Sequence, residues 1–220
     1  MIDFGAARNE MVERQIRARG VRDPLVLEAM RTVPREQFLP LGERDHAYSD
    51  MPLPIGAEQT ISQPYIVAYM VEALELKGGE TVLEIGTGSA YAAAVLSRIA
   101  GDVYTVERVA MLAQGGVRTL SSLSYHNVHV RHGDGTLGWS EHAPYDAIIV
   151  SAGGPQVPAS LKSQLKIGGR LVIPVGETLH QELVRVRRVS QTEYENKVIA
   201  EVRFVPLIGD EGWDCESEIA

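Results

Sequence analysis

Residues 82–91 read Val-Leu-Glu-Ile-Gly-Thr-Gly-Ser-Ala-Tyr, and this stretch decides the fold. A short apolar strand runs into a Gly-x-Gly turn, and the turn runs into a helix rich in small residues. Glycines permit a tight turn and let a ligand approach the backbone closely. In open α/β sheets such turns line the ligand crevice at the carboxyl ends of the strands. The stretch therefore predicts a ligand site between one strand and the helix that follows it.

Downstream of this turn, apolar strands alternate with helices. This alternation, with strands that are almost continuously apolar, indicates a parallel sheet covered on both faces. Only a polar turn, residues 190–196, separates the last two strands, so the sheet should end in an antiparallel pair. We predict strands at 81–85, 103–106, 128–131, 145–150, 170–175, 182–189 and 197–205, and helices at 90–99, 109–123 and 157–165.

The first third of the chain reads as helices interrupted by a long irregular stretch. The spacing of apolar residues predicts helices at 4–19 and 65–74, and Asp23-Pro24 is typical of a helix start. Residues 39–63 are rich in proline, glycine and polar side chains, and a long ordered loop of this kind is often functional.

The 220 residues fit a single structural domain. Within it, residues 1–79 should form N-terminal helices and a loop packed on the core, and residues 80–210 should form the core itself. Residues 211–220 are an acidic tail that we expect to be mobile.

Composition excludes several classes of function. The net charge of −8 disfavours nucleic acid as a partner, because phosphate backbones repel an acidic protein. The arginines at 185, 187 and 188 are interpreted as the solvated face of a strand. The single cysteine, Cys215, allows neither an internal disulfide nor a cysteine-based metal site, and the histidine spacing matches no zinc motif.

Targeting signals are also missing from the pattern. Residues 1–10 lack the apolar core of a signal peptide, and no apolar run approaches the length of a membrane span. We therefore expect a cytoplasmic enzyme that works as a monomer, without a metal and without a membrane partner.

Acidic residues cluster near the glycine turn. Glu84 lies on the strand before the glycines, Glu107 ends the next strand where a ribose-binding carboxylate is expected, and Gly-Asp-Gly at 133–135 follows the third strand. A dinucleotide fingerprint would have a third glycine where this chain has Tyr91. S-adenosylmethionine has no pyrophosphate but carries a sulfonium and an amino group, which nearby acids suit. We therefore predict a Rossmann-like α/β fold that binds S-adenosylmethionine, with a mostly parallel sheet and N-terminal helices.

With these residues in view, the sequence resembles the protein-L-isoaspartate O-methyltransferase family from about residue 6 to 209. The most specific element is YSDMPLPIGAEQTISQPYIVAYM at 48–70, because its QTISQP core is not shared by methyltransferases in general. The other matching segments are VLEIGTGSAY at 82–91, TVER at 105–108, GDGTLGW at 133–139, APYDAIIVSAGGPQVP at 143–158, LKIGGRLVIPVG at 165–176 and RFVPLIG at 203–209.

The resemblance implies an activity and a set of site residues. The activity is methyl transfer from S-adenosylmethionine to the α-carboxylate of L-isoaspartyl residues in damaged proteins and peptides, which begins repair through a succinimide. The family's active-site serine falls on Ser62, and the loop at 60–63 would close over the cofactor. The cofactor-binding positions that the resemblance implies are Thr60, Ile61, Gln63, Glu84, Gly86, Thr87, Gly88, Glu107, Asp134 and Gly135.

The interpretation of several single residues remains open. Without the resemblance, Ser62 reads as a loop serine that caps the helix starting at Pro64. Ala90 and Glu58 stand where the family commonly has glycine. We expect the Ala90 methyl group to have a modest effect on cofactor binding and the Glu58 side chain to face outward. Gly115-Gly116 should break or kink its helix.

Three other functions also remain as alternatives. These are methylation of ordinary aspartate in a dedicated peptide, a nicotinamide-dependent oxidoreductase activity, and a non-catalytic binding module that kept the cofactor fold.

Overall fold

The computed structural model describes residues 2–214. Residues 215–220, with Cys215 and most of the predicted mobile tail, lie outside the described residues. The start of that tail is packed: the Trp213 indole Nε1 donates to the Gly153 carbonyl at 3.0 Å, and Glu211 accepts from both the backbone and the hydroxyl of Ser160. In residues 2–214 no helix has the length and apolar content that crossing a bilayer requires.

A seven-stranded sheet forms the centre of the fold, and the predicted α/β class is confirmed. Its strand order is β5-β4-β3-β6-β7-β8-β9, parallel as far as β7 and antiparallel from β7 to β9. A separate two-stranded hairpin precedes it. The strands are β1 Leu53–Gly56, β2 Gln59–Ile61, β3 Thr81–Ile85, β4 Asp102–Glu107, β5 Val128–His132, β6 Tyr145–Val150, β7 Leu165–Gly176, β8 Gln181–Arg188 and β9 Tyr194–Val202.

Helices cover the sheet and extend the core at the N-terminal side. Asp23 caps one of them by accepting from the Leu25 amide, and Pro24 occupies its first turn, as predicted. The first helix continues as a π turn at Met11–Ile16 and a 3-10 turn at Arg17–Arg19 before Gly20 ends it. The α-helices are α1 Phe4–Glu10, α2 Pro24–Thr32, α3 Pro64–Ala73, α4 Tyr91–Ser97, α5 Ala110–Ser122 and α6 Ala159–Ser163.

The N-terminal helices share one apolar cluster with the sheet, so they are packed on the core. Met30 of α2 and Leu96 of α4 are both fully buried in this cluster. Arg35 is also fully buried there, with its guanidinium 4.9 Å from the Tyr91 ring and its Nε donating to the Ala47 carbonyl at 2.7 Å. Burial lowers the pKa of Arg35 to about 10, because a charge is disfavoured away from water.

Residues 39–63 are more regular than the sequence indicated. A 3-10 helix, Arg35–Phe38, directly precedes them, and they contain a second one, Leu41–His46, followed by the β1–β2 hairpin. The hairpin turns at Ala57 and Glu58, whose φ angles are 51° and 58°. Positive φ at both central residues is the geometry of a type I′ turn, which matches the twist of antiparallel strands. Glu58 is exposed, as expected.

Two predictions about glycines were wrong. Helix α5 runs without interruption through Gly115 and Gly116, because Gly116 packs against the glycine turn after β3: a Cβ on it would lie 3.2 Å from Thr87 Cγ2. Strand β7 starts at Leu165 rather than at the predicted residue 170 and so includes Gly168 and Gly169, and its pairing with β6 shifts register between Tyr145 and Ala147.

The arginines of β8 are not a simple solvated face. Arg185 pairs with Glu75 at 2.7 Å, and Arg188 donates to the Leu165 carbonyl at 2.6 Å, so both link neighbouring elements. Only Arg187 is exposed as predicted. Within residues 2–214 no group of three acidic, histidine or cysteine side chains is arranged to hold a metal ion.

Candidate active site

The glycine turn after β3 forms the floor of the site. Gly86 and Gly88 have φ angles of 90° and 51°, a region that glycine occupies without a steric cost. The Gly86 amide donates to the Val106 carbonyl at 2.9 Å, which ties the turn to β4. Ala90 also lies in the left-handed region, with φ of 70°, at the start of α4. An alanine there is strained by about 1 kcal/mol relative to glycine.

Glu84 is the most deeply buried acid of the site. Its side chain has no exposure to solvent, and its Oε2 accepts from the Thr105 hydroxyl at 2.6 Å. Its Oε1 has no hydrogen-bond partner among residues 2–214. Burial raises the pKa of Glu84 to about 8, because the charged form loses its hydration. A cationic donor placed at Oε1 would satisfy this oxygen and favour the charged form.

Glu107 ends β4 and faces the same turn. Its Oε2 accepts from the Gly88 amide at 2.8 Å and its Oε1 accepts from the Val109 amide at 2.8 Å. Each carboxylate oxygen has a second lone pair, so this anchored group still offers acceptors for the hydroxyls of a ligand.

A cavity of about 880 Å³, counted to its open mouth, lies over the turn. It brings together elements far apart in the chain: the β2 loop, the ends of β3 and β4, and the segment after β5. The residues predicted from the sequence that line it are Thr60, Ile61, Ser62, Glu84, Gly86, Thr87, Gly88, Glu107 and Gly135.

Asp134 and Gln63 do not line this cavity. The Asp134 Oδ1 accepts from the amide and hydroxyl of Thr136, and its Oδ2 accepts from the Asp210 amide. Asp134 therefore caps a short 3-10 helix, Gly135–Leu137, and holds the C-terminal segment through Asp210. Gln63 instead donates to the Asp50 carbonyl at 3.0 Å and lines a neighbouring groove.

That groove is larger and opens directly beside the cavity. It measures about 1520 Å³ to its open mouth, and Arg19, Tyr65 and the end of β9 form parts of its wall. The Arg19 guanidinium lies 3.5 Å from the centre of the Tyr65 ring. Cavity and groove share five wall residues, which are Thr60, Ser62, Ser151, Val205 and Pro206.

Ser62 lies where the two spaces meet. Among residues 2–214 its hydroxyl has no hydrogen-bond partner, and helix α3 begins after Gln63 without a side-chain cap. The interpretation of Ser62 as a capping serine is therefore wrong. Its hydroxyl is free to bind a ligand that spans the junction.

Sequence reasoning missed one wall of the site. Residues 205–208 line the cavity and follow the edge of the sheet. Gly153 holds them in place, because its amide donates to the Val205 carbonyl and its carbonyl accepts from the Leu207 amide, each at 2.8 Å. The segment RFVPLIG at 203–209 was the available signal, but its apolar residues carry no chemical hint of a ligand. Ser151, Ala152 and Tyr91 also line the cavity and were not predicted.

The residues present fit S-adenosylmethionine. The buried Glu84 Oε1 lacks a donor and the ligand's amino group is one, while the two positive-φ glycines leave the turn open to a close approach. Glu107 offers carboxylate oxygens to ribose hydroxyls. This cavity on a mostly parallel sheet defines the chain as a methyltransferase that uses S-adenosylmethionine.

Comparison with known proteins identifies the family. The family model described as protein-L-isoaspartate(D-aspartate) O-methyltransferase matches residues 6–212, and the chain belongs to that family. It is 63% identical over 211 residues to protein-L-isoaspartate O-methyltransferase 1 of Rhodopseudomonas palustris strain HaA2, covering 96% of this chain and 86% of the relative. It is 61% identical over 207 residues to protein-L-isoaspartate O-methyltransferase 2 of Pelobacter propionicus, covering 94% and 92%.

Solved structures agree in fold. One named protein-L-isoaspartate O-methyltransferase superposes with a TM-score of 0.83 at 32% identity, over 93% of this chain and 67% of the other. A putative protein-L-isoaspartate O-methyltransferase from Plasmodium falciparum, solved with S-adenosyl-L-homocysteine, has a TM-score of 0.78 at 23% identity, over 91% and 98%.

Proposed function

We propose that this chain transfers the methyl group of S-adenosylmethionine to the α-carboxylate of L-isoaspartyl residues in damaged proteins and peptides, and so starts their repair. The observation that carries the proposal is the junction at Ser62, where the cavity over the glycine turn meets a larger groove. The cavity suits a small charged cofactor, and the groove is open enough to admit a polypeptide.

The chain's residues have little acid–base work to do in this reaction. An α-carboxyl group has a pKa of about 3.5, so it is ionised at neutral pH and needs no general base. The bound cofactor supplies an electrophilic methyl group. Ser62 would hold the attacking carboxylate through a charge-assisted hydrogen bond, and its place at the junction aligns that carboxylate with the cavity. The partly apolar wall formed by residues 205–208 would exclude water from the reacting groups.

For cofactor binding we propose the acids as polar anchors. Glu84 would accept from the amino group, and Glu107 from the ribose hydroxyls. Gly86, Thr87, Gly88 and Gly135 would shape the floor, and Thr60 and Ile61 would close over it. For Asp134 and Gln63 we propose an indirect role, since their side chains bind Thr136 and Asp50 instead.

We also propose a monomer in the cytoplasm as the working form. The groups proposed to bind cofactor and substrate, Glu84, Glu107 and Ser62, line one cavity formed within a single chain, which supports a site that needs no second copy. A single cysteine suits a reducing compartment. Light scattering during gel filtration and cell fractionation test the two parts separately.

A paired assay tests the activity. Radiolabelled S-adenosylmethionine is offered with two peptides that differ only in one aspartyl linkage, one isoaspartyl and one ordinary. We expect label in a base-labile ester on the isoaspartyl peptide alone. A preference for the ordinary aspartyl peptide, or label on neither while cofactor binds, would refute the proposal.

A further inference from the structure

Two residues of the cavity wall are connected through a third residue that lies behind the wall. The Thr87 and Thr105 hydroxyls are 2.6 Å apart, and the Thr105 hydroxyl is 2.6 Å from Glu84 Oε2. All three side chains are buried. Thr87 and Glu84 line the cavity, whereas Thr105 pairs with Glu84 across strands β4 and β3 and does not line it.

The direction of these two hydrogen bonds follows from the number of protons that each group can donate. Each threonine hydroxyl has a single proton, and an ionised carboxylate can only accept. When Glu84 is ionised, the Thr105 proton is therefore given to Glu84, and Thr87 gives its proton to Thr105. Consequently Thr105 occupies one oxygen of Glu84, and Oε1 is the atom left without a partner among residues 2–214.

We infer that Thr105 is a positioning residue for cofactor binding: it ties Oε2 of Glu84 so that Oε1 is presented, in ionised form, to the amino group of the cofactor. The inference rests on the proposed role of Glu84. It assigns a function to a threonine that touches neither the cavity nor the substrate groove.

The same geometry couples binding to a proton. Burial raises the pKa of Glu84 to about 8 and the Thr105 hydrogen bond opposes that rise. Glu107 raises it further through charge repulsion. On the flanking strands Glu84 pairs with Thr105 and Ile149, which do not titrate; the titratable wall residues besides Glu84 are Tyr91, Glu107 and Arg108. Cofactor binding at neutral pH should therefore expel a proton from Glu84.

Calorimetry with S-adenosylhomocysteine, in buffers of different ionisation enthalpy, measures both affinity and protons released. For Thr105→Val we expect about a 10-fold weaker affinity at pH 7, because a hydrogen bond to a charged group is lost. We also expect more protons released at pH 8 than in the wild type, because the pKa of Glu84 moves higher. Thr105→Ser keeps the hydroxyl and should restore both values.

Two controls separate this inference from other effects. Ser97→Ala removes another buried hydroxyl, one that donates to the Ala94 carbonyl away from the site, and should change neither value. Glu84→Gln should abolish the proton release and weaken binding.

Three results would overturn parts of this account, and they differ. If Thr105→Val matches the wild type in affinity and in proton release, the role of Thr105 is wrong. A loss of affinity with unchanged proton release would mean a merely structural contribution and would also refute it. If Glu84→Gln itself binds as the wild type does, the proposed cofactor site fails.

Discussion

Glu84 is a carboxyl group that folding places out of reach of water, and its ionisation therefore depends on the folded state. Its pKa rises from 4.5 to about 8 through burial. Between these two pH values the folded chain holds a proton that the unfolded chain has released. Stability must then fall as the pH rises from about 4.5 towards 8, and the whole penalty is present above 8.

Replacing this carboxyl group should remove the penalty. Between the unfolded and folded pKa values of Glu84, each pH unit lowers the free energy of unfolding by about 1.4 kcal/mol. From pH 6 to pH 9 the wild type should therefore lose roughly 2–3 kcal/mol of stability through Glu84. In Glu84→Gln that part of the loss should be absent. Urea unfolding of both proteins without cofactor at the two pH values measures the difference. An identical pH dependence in the two proteins would show that Glu84 is not buried in an unpaired state.

Ser62 lies at the junction, and its hydroxyl has no hydrogen-bond partner among residues 2–214. Its substitution should therefore change the stability of the fold little and lower turnover strongly. Loss of a hydrogen bond to a charged group costs about 1.5–3 kcal/mol, which is roughly a 10- to 100-fold decrease in kcat/KM for Ser62→Ala. The affinity for S-adenosylhomocysteine should change by less than about threefold.

The matched control is Ser121→Ala, on the exposed face of α5, which should behave as the wild type. Full activity in Ser62→Ala would contradict the assignment, and so would an equal loss in the control.

At the scale of single elements, the β1–β2 hairpin carries strain in its turn. Glu58 has a φ of 58° and is exposed, so it bears the cost of the left-handed conformation without a packing gain. Glu58→Gly should therefore stabilise the protein by about 1 kcal/mol. The same substitution at Glu28, in the middle of α2, should destabilise it by about 1 kcal/mol. Urea unfolding compares the two, and a loss of stability in Glu58→Gly would contradict the turn geometry.

Helix α5 offers a second matched pair. A side chain on Gly116 would meet Thr87 and Ala90, whereas the nearest atom to a Cβ on Gly115 is the flexible end of Arg118, at 4.0 Å. Gly116→Leu should cost about 1–3 kcal/mol through overpacking and should also weaken S-adenosylhomocysteine binding, because it displaces the glycine turn. Gly115→Leu should gain slightly in stability through helix propensity and bind normally. Equal behaviour of the two variants would show that α5 does not support the turn.

At the scale of the whole molecule, the sequence was informative where structure depends on local pattern. Strands β3 and β6 have the predicted bounds, since a buried parallel strand is a mostly apolar run between turns. Helix α2 begins at Asp23-Pro24 as predicted, because a helix cap depends only on neighbouring residues. The resemblance added Ser62, which residue patterns alone had favoured as a capping residue.

The remaining features depend on tertiary contacts that no local pattern records. The carboxylate of Asp134 accepts from the amide of Asp210, a residue 76 positions away. The wall at 205–208 is set by hydrogen bonds with Gly153. Gly116 is required by the approach of α5 to Thr87, not by its own helix. Each of these contacts joins elements that are distant in sequence.

The central claim is that Glu84 and Glu107 hold the methyl donor over the glycine turn, beside a carboxylate bound at Ser62. A crystal structure with S-adenosylhomocysteine and an isoaspartyl peptide tests it most directly. We predict the ligand's amino nitrogen within about 3 Å of Glu84 Oε1, the ribose hydroxyls on Glu107, and a peptide carboxylate oxygen within about 3 Å of Ser62 Oγ. A cofactor outside the cavity, or a peptide carboxylate that contacts other residues and leaves Ser62 unbound, would contradict the claim.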